Sequence, residues 1–209
     1  MFSSEAGSGA IRRRFAVLGH EATTAGDFHL NDLAGSAGRL DILVRCVTSA
    51  FMLSHDLRRD TELYLVLLGP PQPPKTVRLV GPELRYLNPD ERSTAALLRR
   101  ALRSRAEGKS SPGIYVSRRG LPDLLARLGE GLIYLHEDGE DIRRASLPSR
   151  SAFLLSDHRN LTAGEAALVE KAQPQVVRVG PRTVHANHAI VLVHNELDRQ
   201  AARPPEGPD

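Results

Sequence analysis

Four apolar runs in this chain each end abruptly in small, polar or ionisable residues, and this repeated ending constrains the fold more than any other feature. The runs span 15–18, 132–135, 153–155 and 176–179, and the residues that follow are Gly19-His20-Glu21, His136-Glu137-Asp138, Ser156-Asp157-His158 and Gly180-Pro181-Arg182. Short apolar runs that alternate with helical patterns are typical of strands in a largely parallel sheet. Ligands bind beyond the carboxyl ends of such strands, so the polar clusters predict a site along one sheet edge. Turns after strands are often polar in any case, and this simpler explanation stays open.

Helical periodicity between these runs indicates an α/β fold, with a mostly parallel sheet flanked by helices. The first helix is predicted over 38–54, where apolar residues recur with the spacing of one buried face. Thr162 and Glu165 have capping-box spacing and predict that a helix starts there and runs to about 172. The other predicted helices span 91–106, 121–128 and 185–199, further strands span 63–68 and 114–116, and a short hairpin joins 77–80 to 84–87.

The 209 residues and the 41% apolar content are sufficient for one buried core, and no linker or internal repeat divides the chain. We therefore expect a single domain over 14–202, between a flexible leader over 1–13 and a flexible tail over 203–209. No run approaches the roughly 20 apolar residues of a membrane span, and residues 1–10 lack the apolar stretch of a secretion signal. Cys46 is the single cysteine, so no internal disulfide can form and a cytoplasmic location is expected.

The net charge is only +3, but all but three of the 28 basic residues are arginine. Guanidinium groups suit phosphate, although a GC-rich genome would produce the same bias. The predicted helix over 91–106 carries Arg92, Arg99 and Arg103 at spacings of seven and four, with Arg100 and Arg105 alongside. Such a face can neutralise the phosphates of a nucleic acid, and an ordinary solvated helix surface is the alternative.

Motifs that would indicate other chemistry are absent or incomplete. The chain has neither the GxGxxG nor the GxxxxGK[ST] fingerprint of nucleotide-binding folds. Ser156, Asp157 and His158 are the residue types of a hydrolase triad, but three consecutive residues cannot form the required relay. His185 and His188 lack the spacing and the intervening glutamate of a helical zinc site, so no metal is expected and a metal-dependent hydrolase is a distant alternative.

Blocks of sequence along almost the whole chain resemble the tRNA pseudouridine N1-methyltransferase family. They include VLGHEA at 17–22, ELRYLNPDERS at 83–93, SPGIYV at 111–116, LHEDG at 135–139, LSDH at 155–158 and NELDR at 195–199. These blocks occur in the family's order between residues 15 and 199, which makes the resemblance more specific than any single motif. The resemblance implies a SPOUT-class fold with a C-terminal trefoil knot, and a homodimer that uses S-adenosylmethionine.

The resemblance also implies which residues bind the cofactor, and they lie at the ends of three of the four apolar runs and at the start of the last helix. Carried over position by position, they are Leu135, Leu155, Ser156, Val179, Gly180, Pro181, Arg182, Thr183, Val184 and Ala189. Family members often have glycine where this chain has Ser156, and cysteine where it has Ala189. Both residues are still small, so cofactor binding is expected.

Members of the archaeal type methylate N1 of a pseudouridine at position 54, in the T-loop of tRNA. N1 must lose a proton, for which Asp157 and Asp41 are the predicted acceptors. Arg39 or Arg45 would then stabilise the negative charge that develops on the ring. Asp41 and Arg45 are one helical turn apart, so a simple ion pair between them is the alternative. The predicted RNA-binding residues are Arg45, Arg92, Arg99 and Arg103, together with the leader sequence Arg12-Arg13-Arg14.

Two related functions stay open at this point. A protein of the same fold that binds RNA without catalysis would be consistent with the departures at Ser156 and Ala189. A methyltransferase that acts on another pseudouridine, such as one in rRNA, would be consistent with all the motifs.

Overall fold

The structure is a computed structural model that describes residues 11–104 and 106–202. Most of the predicted leader (1–10), the predicted tail (203–209) and Arg105 of the predicted basic face lie outside the described residues.

The strand β1 (Arg13–Gly19) lies inside an eight-stranded sheet and pairs in parallel with a neighbour on each side. The other strands are β2 (Thr61–Leu67), β3 (Lys75–Val80), β4 (Gly108–Ser111), β5 (Ile114–Ser117), β6 (Leu132–Asp141), β7 (Ser151–Ser156) and β8 (Gln175–Arg178). Their order in the sheet is β4-β5-β3-β2-β1-β7-β6-β8. The pairings from β2 through β1, β7 and β6 to β8 are parallel, and those among β2, β3, β5 and β4 are antiparallel. The expected α/β architecture is confirmed, with a mixed sheet whose parallel half contains all four apolar runs.

Side chains of β1 alternate between two apolar layers, as the period of an extended strand requires. Phe15 and Val17 belong to the layer that contains α1, α2 and α5, whereas Ala16 and Leu18 face α3 and α4. All four side chains are fully buried. A strand that is covered on both faces is apolar throughout, which is why the sequence has an unbroken apolar run here.

The predicted helices are confirmed, with ends that differ by a few residues. They are α1 (Leu40–Phe51), α2 (Glu91–Leu102), α3 (Leu121–Leu128), α4 (Ala163–Lys171) and α5 (Ala186–Ala201). The capping box forms as predicted, since Thr162 accepts from the backbone N–H of Glu165 and the Glu165 carboxylate accepts from that of Thr162. Within the described part of the chain, no helix is both long and apolar enough to cross a membrane.

The expected hairpin between 77–80 and 84–87 is wrong. β3 is followed by a 3₁₀ turn at Gly81–Glu83, and residues 84–87 form no strand. Both edges of β3 are already occupied, by β2 on one side and by β5 on the other, so no edge is left for another strand. Leu84 and Leu87 are buried in the apolar core instead.

The strand β6 continues past the apolar run that predicts it. It extends to Asp141, so the polar residues 136–138 lie within the strand rather than after it. Its pairing with β8 shifts register between Leu135 and Glu140, which is the signature of a bulge. Gly139 lies so close to the backbone of Val177 that a Cβ atom would not fit. Because of the bulge, residues 136–138 have no partner in β8.

Arg13 is the buried first residue of β1 and is not part of a flexible leader. Its guanidinium forms ion pairs with Asp60 at 3.2 Å and Asp198 at 2.6 Å, and it donates to Nδ1 of His194 at 3.1 Å. Nε2 of His194 lies 3.1 Å from the carbonyl oxygen of Ala50. Burial lowers the pKa of His194 to about 3, so this imidazole is neutral and can accept the bond from Arg13. These contacts tie β1 to α5, and Arg13 is therefore unavailable to an RNA backbone.

Gly38 is the residue at which we expect a single methyl group to be most damaging. It has a φ of +60°, and an added Cβ would overlap the carbonyl oxygen of Glu21, just after β1. Gly38→Ala should lower the free energy of unfolding by about 2 kcal/mol or more, since left-handed strain adds to the overlap. Chemical denaturation measures this change.

Gly164→Ala is the matched control, because Gly164 lies in the first turn of α4 with open space around its Cα. Alanine is the better helix former, so this variant should be neutral or up to about 1 kcal/mol more stable. Equal effects of the two substitutions would contradict the assigned role of Gly38.

Candidate functional site

Two adjoining cavities, of about 340 and 560 Å³, lie beyond the carboxyl ends of the parallel strands. Both are lined by Leu135, His136, Glu137, Thr183, Val184 and Ala189. The smaller cavity extends along the segment 177–182, and the larger one extends along 155–160 and the first turn of α5. The shared wall makes them two parts of one cleft.

Every residue predicted to bind the cofactor lines this cleft. Leu135 and Ala189 line both cavities, the loop 179–184 lines the smaller one, and Leu155 and Ser156 line the larger one. The three loops come from β6, β7 and the β8–α5 connection, which are distant in sequence. They converge because β6, β7 and β8 are parallel neighbours and therefore end at the same edge.

The walls combine apolar surface with polar groups at a helix start. Leu155 and Ala189 are almost fully buried and form an apolar floor. A Cβ atom added at Gly180 would meet nothing within 4 Å, so the loop leaves open space there. His185 is the N-cap of α5 but its side chain makes no capping bond, and the first turn, whose N–H groups have no intrahelical acceptor, lines the larger cavity. Such a helix start attracts a carboxylate or another anion.

Glu137 is a cleft residue that sequence reasoning missed. Its exposed carboxylate lines both cavities and accepts a hydrogen bond from the hydroxyl of Thr183. This bond joins the β6 bulge to the loop before α5. The signal was present in the polar cluster after 135, but only the bulge decides that this side chain faces the cleft.

Beside the cleft, His20 lies between two carboxylates. Its Nδ1 is 2.9 Å from Oδ1 of Asp157, its Nε2 is 3.1 Å from Oε2 of Glu165, and its backbone N–H donates to Oδ2 of Asp157 at 2.8 Å. The His20 and Asp157 side chains are only 8% and 3% exposed. An imidazole can satisfy an acceptor at both ring nitrogens only when it is protonated, so the geometry favours the imidazolium.

The pKa directions agree with this assignment. Burial alone would lower the pKa of His20, but the hydrogen bonds that it donates to Asp157 and Glu165 outweigh this effect, and the pKa is raised above its ordinary value. Burial would likewise raise the pKa of Glu165, but the bonds from Thr162 and His20 hold it below its ordinary value.

The same network closes the loop after β7. The backbone N–H of Arg159 donates to Oδ1 of Asp157 at 2.9 Å, the Ser156 hydroxyl donates to the carbonyl oxygen of Arg159, and the Arg159 guanidinium pairs with Glu21. His20 and Asp157 therefore hold the shape of the segment 156–160, which forms one wall of the cleft. Both oxygens of Asp157 already accept hydrogen bonds, so the carboxylate predicted as a proton acceptor is committed to its own loop.

Asp41 is engaged in the same way. It accepts from Nε of Arg39 at 3.1 Å and from Nη2 of Arg45 at 2.6 Å, so the alternative of an ion pair with Arg45 is what the structure contains. Burial would raise the pKa of Asp41, but these two cations hold it below its ordinary value. Arg45 also lies 3.7 Å from Glu91. None of these residues lines the cleft.

The arginines of α2 have different surroundings. Arg92 is exposed and bonds to the side-chain oxygen of Asn31, Arg99 is partly buried, and exposed Arg103 donates to the carbonyl oxygen of Gly26 at 2.6 Å. No carboxylate within the described residues pairs with these three guanidinium groups at ion-pair distance. They keep a net positive charge on the surface of α2.

The histidines of α5 do not form a metal centre. The rings of His185 and His188 make an edge contact with centroids 5.9 Å apart, and His194 is the buried partner of Arg13. Among the residues that the structure describes, no group of three or more histidine, cysteine, aspartate or glutamate side chains could hold a metal ion.

The α/β fold is similar to that of a solved structure. The structure resembles that of Nep1 from Archaeoglobus fulgidus bound to S-adenosylhomocysteine, with a TM-score of 0.64 and 15% sequence identity. The match covers 92% of this chain and 100% of the other. At this identity the likeness concerns the fold.

The sequence itself identifies the family. A family model described as "Putative SAM-dependent RNA methyltransferase" matches residues 12–202, and the chain belongs to this family. A protein of Methanocella arvoryzae named tRNA (pseudouridine(54)-N(1))-methyltransferase is 49% identical over 90% of this chain and 100% of its own length. Proteins with the same name from Methanococcoides burtonii and Haloferax volcanii are each 47% identical, over 90% and 89% of this chain and 96% of their own lengths.

His20 gives a prediction with a defined pH dependence. Because its pKa is raised in the folded protein, its stabilising effect is complete below pH about 6.5 and is lost as the pH rises through the folded pKa. His20→Gln should lower the free energy of unfolding by about 1–3 kcal/mol at pH 6, and the difference from the unsubstituted protein should shrink by pH 9. Urea denaturation at both pH values measures it.

His29→Gln is the control, since His29 is exposed on the loop that follows β1. It should leave stability unchanged at both pH values. A deficit of His20→Gln that is the same at pH 6 and pH 9 would show that the imidazolium contributes nothing beyond packing.

Proposed function

We propose that this protein transfers the methyl group of S-adenosylmethionine to N1 of pseudouridine 54 in the T-loop of tRNA. The observation that carries the proposal is the convergence of the loops after Leu135, Leu155 and Val179 on one cleft, in a chain that is 47–49% identical to proteins named for this reaction. A second pseudouridine, such as one in rRNA, would use the same chemistry and is the competing substrate.

The cleft fits S-adenosylmethionine. The apolar floor of Leu155 and Ala189 suits a purine ring, and the open space at Gly180 allows a ligand to approach the backbone. The start of α5 suits the carboxylate of the methionyl group, and the Glu137 carboxylate can accept hydrogen bonds from ribose hydroxyls or an ammonium group. When bound, S-adenosylmethionine supplies an electrophilic sulfonium methyl group. The role of the chain is to align it with the nucleophilic nitrogen, and alignment alone can supply much of the acceleration.

The two departures from the family pattern are compatible with this function. The Ser156 hydroxyl is turned towards its own loop, where it donates to the carbonyl oxygen of Arg159. Ala189 keeps a small side chain at the junction of the two cavities. The single cysteine, Cys46, is fully buried in α1, and burial raises the pKa of its thiol to about 12. No thiol takes part, so we infer direct transfer: the bond from N1 to the methyl carbon forms as the bond from sulfur to that carbon breaks, S-adenosylhomocysteine leaves, and the N1 proton passes to solvent.

We assign Asp157 and Asp41 to positioning, because both carboxylates already accept several hydrogen bonds. Arg39 is the proposed cation that stabilises charge on the pyrimidine ring. Its side chain is 40% exposed. The neighbouring Asp41 is the main cause that raises the pKa of Arg39, and Glu21 and Asp157 beside the cleft raise it further by smaller amounts. Arg45, Arg92, Arg99 and Arg103 are the proposed contacts to the RNA backbone.

Two further properties belong to this proposal. One is a trefoil knot in the C-terminal part of the domain, for which the likeness to Nep1 is the support. The other is a homodimer, and the proposed location is the cytoplasm. The dimer is supported by the exposed side chains of Val191 and Leu192 on α5 and of Val184 just before it, which a second copy could cover. A family member that binds RNA without catalysis is the alternative function.

A methylation assay tests the proposed function. The protein is incubated with S-adenosylmethionine and either a tRNA that contains pseudouridine 54 or rRNA, and nucleosides are analysed by mass spectrometry. N1-methylpseudouridine at position 54 is the expected product. Methylation of rRNA alone would show that rRNA, not tRNA, is the substrate. Binding of S-adenosylmethionine in calorimetry without methylation of either RNA would favour the alternative of an RNA-binding protein without catalysis.

Ala189→Leu tests whether S-adenosylmethionine binds in this cleft. The larger side chain fills the junction of the cavities, so the dissociation constant for S-adenosylmethionine should rise by at least about tenfold, which is roughly 1.4 kcal/mol. Ala167→Leu makes the same chemical change at an exposed position on α4 and should bind normally. Unchanged binding by Ala189→Leu would place the cofactor elsewhere.

The basic surface of α2 is tested by salt dependence. Arg99→Ala combined with Arg103→Ala should weaken tRNA binding and reduce the slope of log affinity against log salt by about one to two, since each lost phosphate contact removes about one released counterion. Arg127→Ala, which changes an arginine of α3 on the other side of the sheet, is the control. If the double variant has the same salt slope as the unsubstituted protein, the arginines of α2 do not contact RNA and form an ordinary solvated surface.

A further inference from the structure

The segment between the 3₁₀ turn and α2 carries one large aromatic side chain into solvent. Tyr86 is 73% exposed, whereas Leu84 and Leu87 on either side of it are 1% and 8% exposed. Its hydroxyl and ring have no partner among the described residues. The chain therefore anchors both sides of this segment in the core and leaves the tyrosine ring uncovered.

The backbone of Tyr86 is strained. Its φ of +64° lies in the left-handed region, which bulky residues seldom adopt. Glycine or asparagine at this position would relieve the strain, so tyrosine lowers stability without gaining a hydrogen bond or ring contact to another described residue. Residues kept in such conformations against local preference often serve binding.

Hydrogen bonds fix the backbone on both sides of Tyr86. The Arg59 guanidinium donates to the carbonyl oxygens of Gly81 at 3.2 Å and Leu84 at 2.8 Å. On the other side, the Thr94 hydroxyl donates to the carbonyl oxygen of Asn88 at 3.2 Å. The backbone of the segment is thus bonded at both ends, so the position from which the exposed ring extends is set before any ligand binds.

Exposed guanidinium groups occur on both sides of Tyr86 in the sequence. Arg85 is its exposed neighbour, and exposed Arg92 lies beside the acidic Asp90 and Glu91 at the start of α2, a helix already proposed to contact RNA. The other large apolar side chains that are exposed among the described residues lie on other segments of the chain. An exposed aromatic ring that arginines flank in the sequence suits the stacked base and flanking phosphates of a nucleic acid.

We propose that Tyr86 stacks on an unpaired nucleobase of the RNA substrate, with Arg85 and Arg92 contacting the phosphates beside that base. The proposal rests on the proposed function to the extent that the substrate is RNA. It assigns to the segment 84–88 a stacking contact that is separate from the cleft.

Three substitutions separate stacking from structure. The probe is a T-arm hairpin RNA that contains pseudouridine 54, and its dissociation constant is measured by fluorescence anisotropy. Tyr86→Ala should raise this constant by about 5- to 100-fold. Tyr86→Phe, which keeps the ring, should stay within about twofold of the unsubstituted protein. Tyr86→Gly should lose affinity as Tyr86→Ala does while unfolding at a higher denaturant concentration, because the left-handed strain is removed.

The readouts also distinguish failure of this proposal from failure of the proposed function. Binding of S-adenosylmethionine should be the same in all variants, and the loss should appear in KM for RNA rather than in kcat. A chain that methylates the hairpin equally well with Tyr86→Ala overturns the stacking contact alone. If the unsubstituted protein neither binds nor methylates the hairpin, the proposed function and the stacking contact are both overturned. Equal loss in Tyr86→Phe and Tyr86→Ala would identify the hydroxyl, not the ring, as the contact.

Discussion

The parallel pairing of β1 with β7 is the constraint on which the site depends. Residue by residue, Leu18 is opposite Ser156, so both strands end at the same level. That register brings the backbone and the ring of His20 to the carboxylate of Asp157. Because β6 and β8 continue the parallel half of the sheet, their loops end at the same edge and complete the cleft. A shift of one residue between β1 and β7 would move side chains from one apolar layer to the other and would separate these groups.

Burial of a charged histidine is costly unless its partners are fixed, and the structure supplies them from two other elements. His20 follows β1, Asp157 follows β7 and Glu165 begins α4. Each carboxylate is held by other bonds as well, from Arg159 for Asp157 and from Thr162 for Glu165. A fully satisfied polar network of this kind stabilises one arrangement of a loop, whereas a partly satisfied one would be destabilising. The consequence for function is a cleft wall whose shape is set before any ligand binds.

The elements that were predicted correctly are those whose sequence pattern lies within a single short segment. The apolar stripe of α1 and the capping box of α4 depend on residues within one or two turns of each other. The errors have non-local causes. The segment 84–87 has the apolar content of a strand, but the position of β5 beside β3 leaves it no edge. Arg13 belongs to a run of arginines that looks like a basic leader, yet Asp198, distant in sequence, pairs with it at 2.6 Å.

The sequence alone predicted the class of fold, the parallel strands and, through the family motifs, the candidate cofactor-binding residues, which line the cleft. Apolar periodicity, turn residues and family motifs are properties of short segments, and they survive in any conformation of the chain. Only the tertiary structure decided that Asp157 and Asp41 are bonded to neighbours, that Glu137 faces the cleft and that Tyr86 does not face the core. The physical reason is that a side chain's partners and exposure depend on which distant segments lie beside it, and that information exists only once the strands have paired.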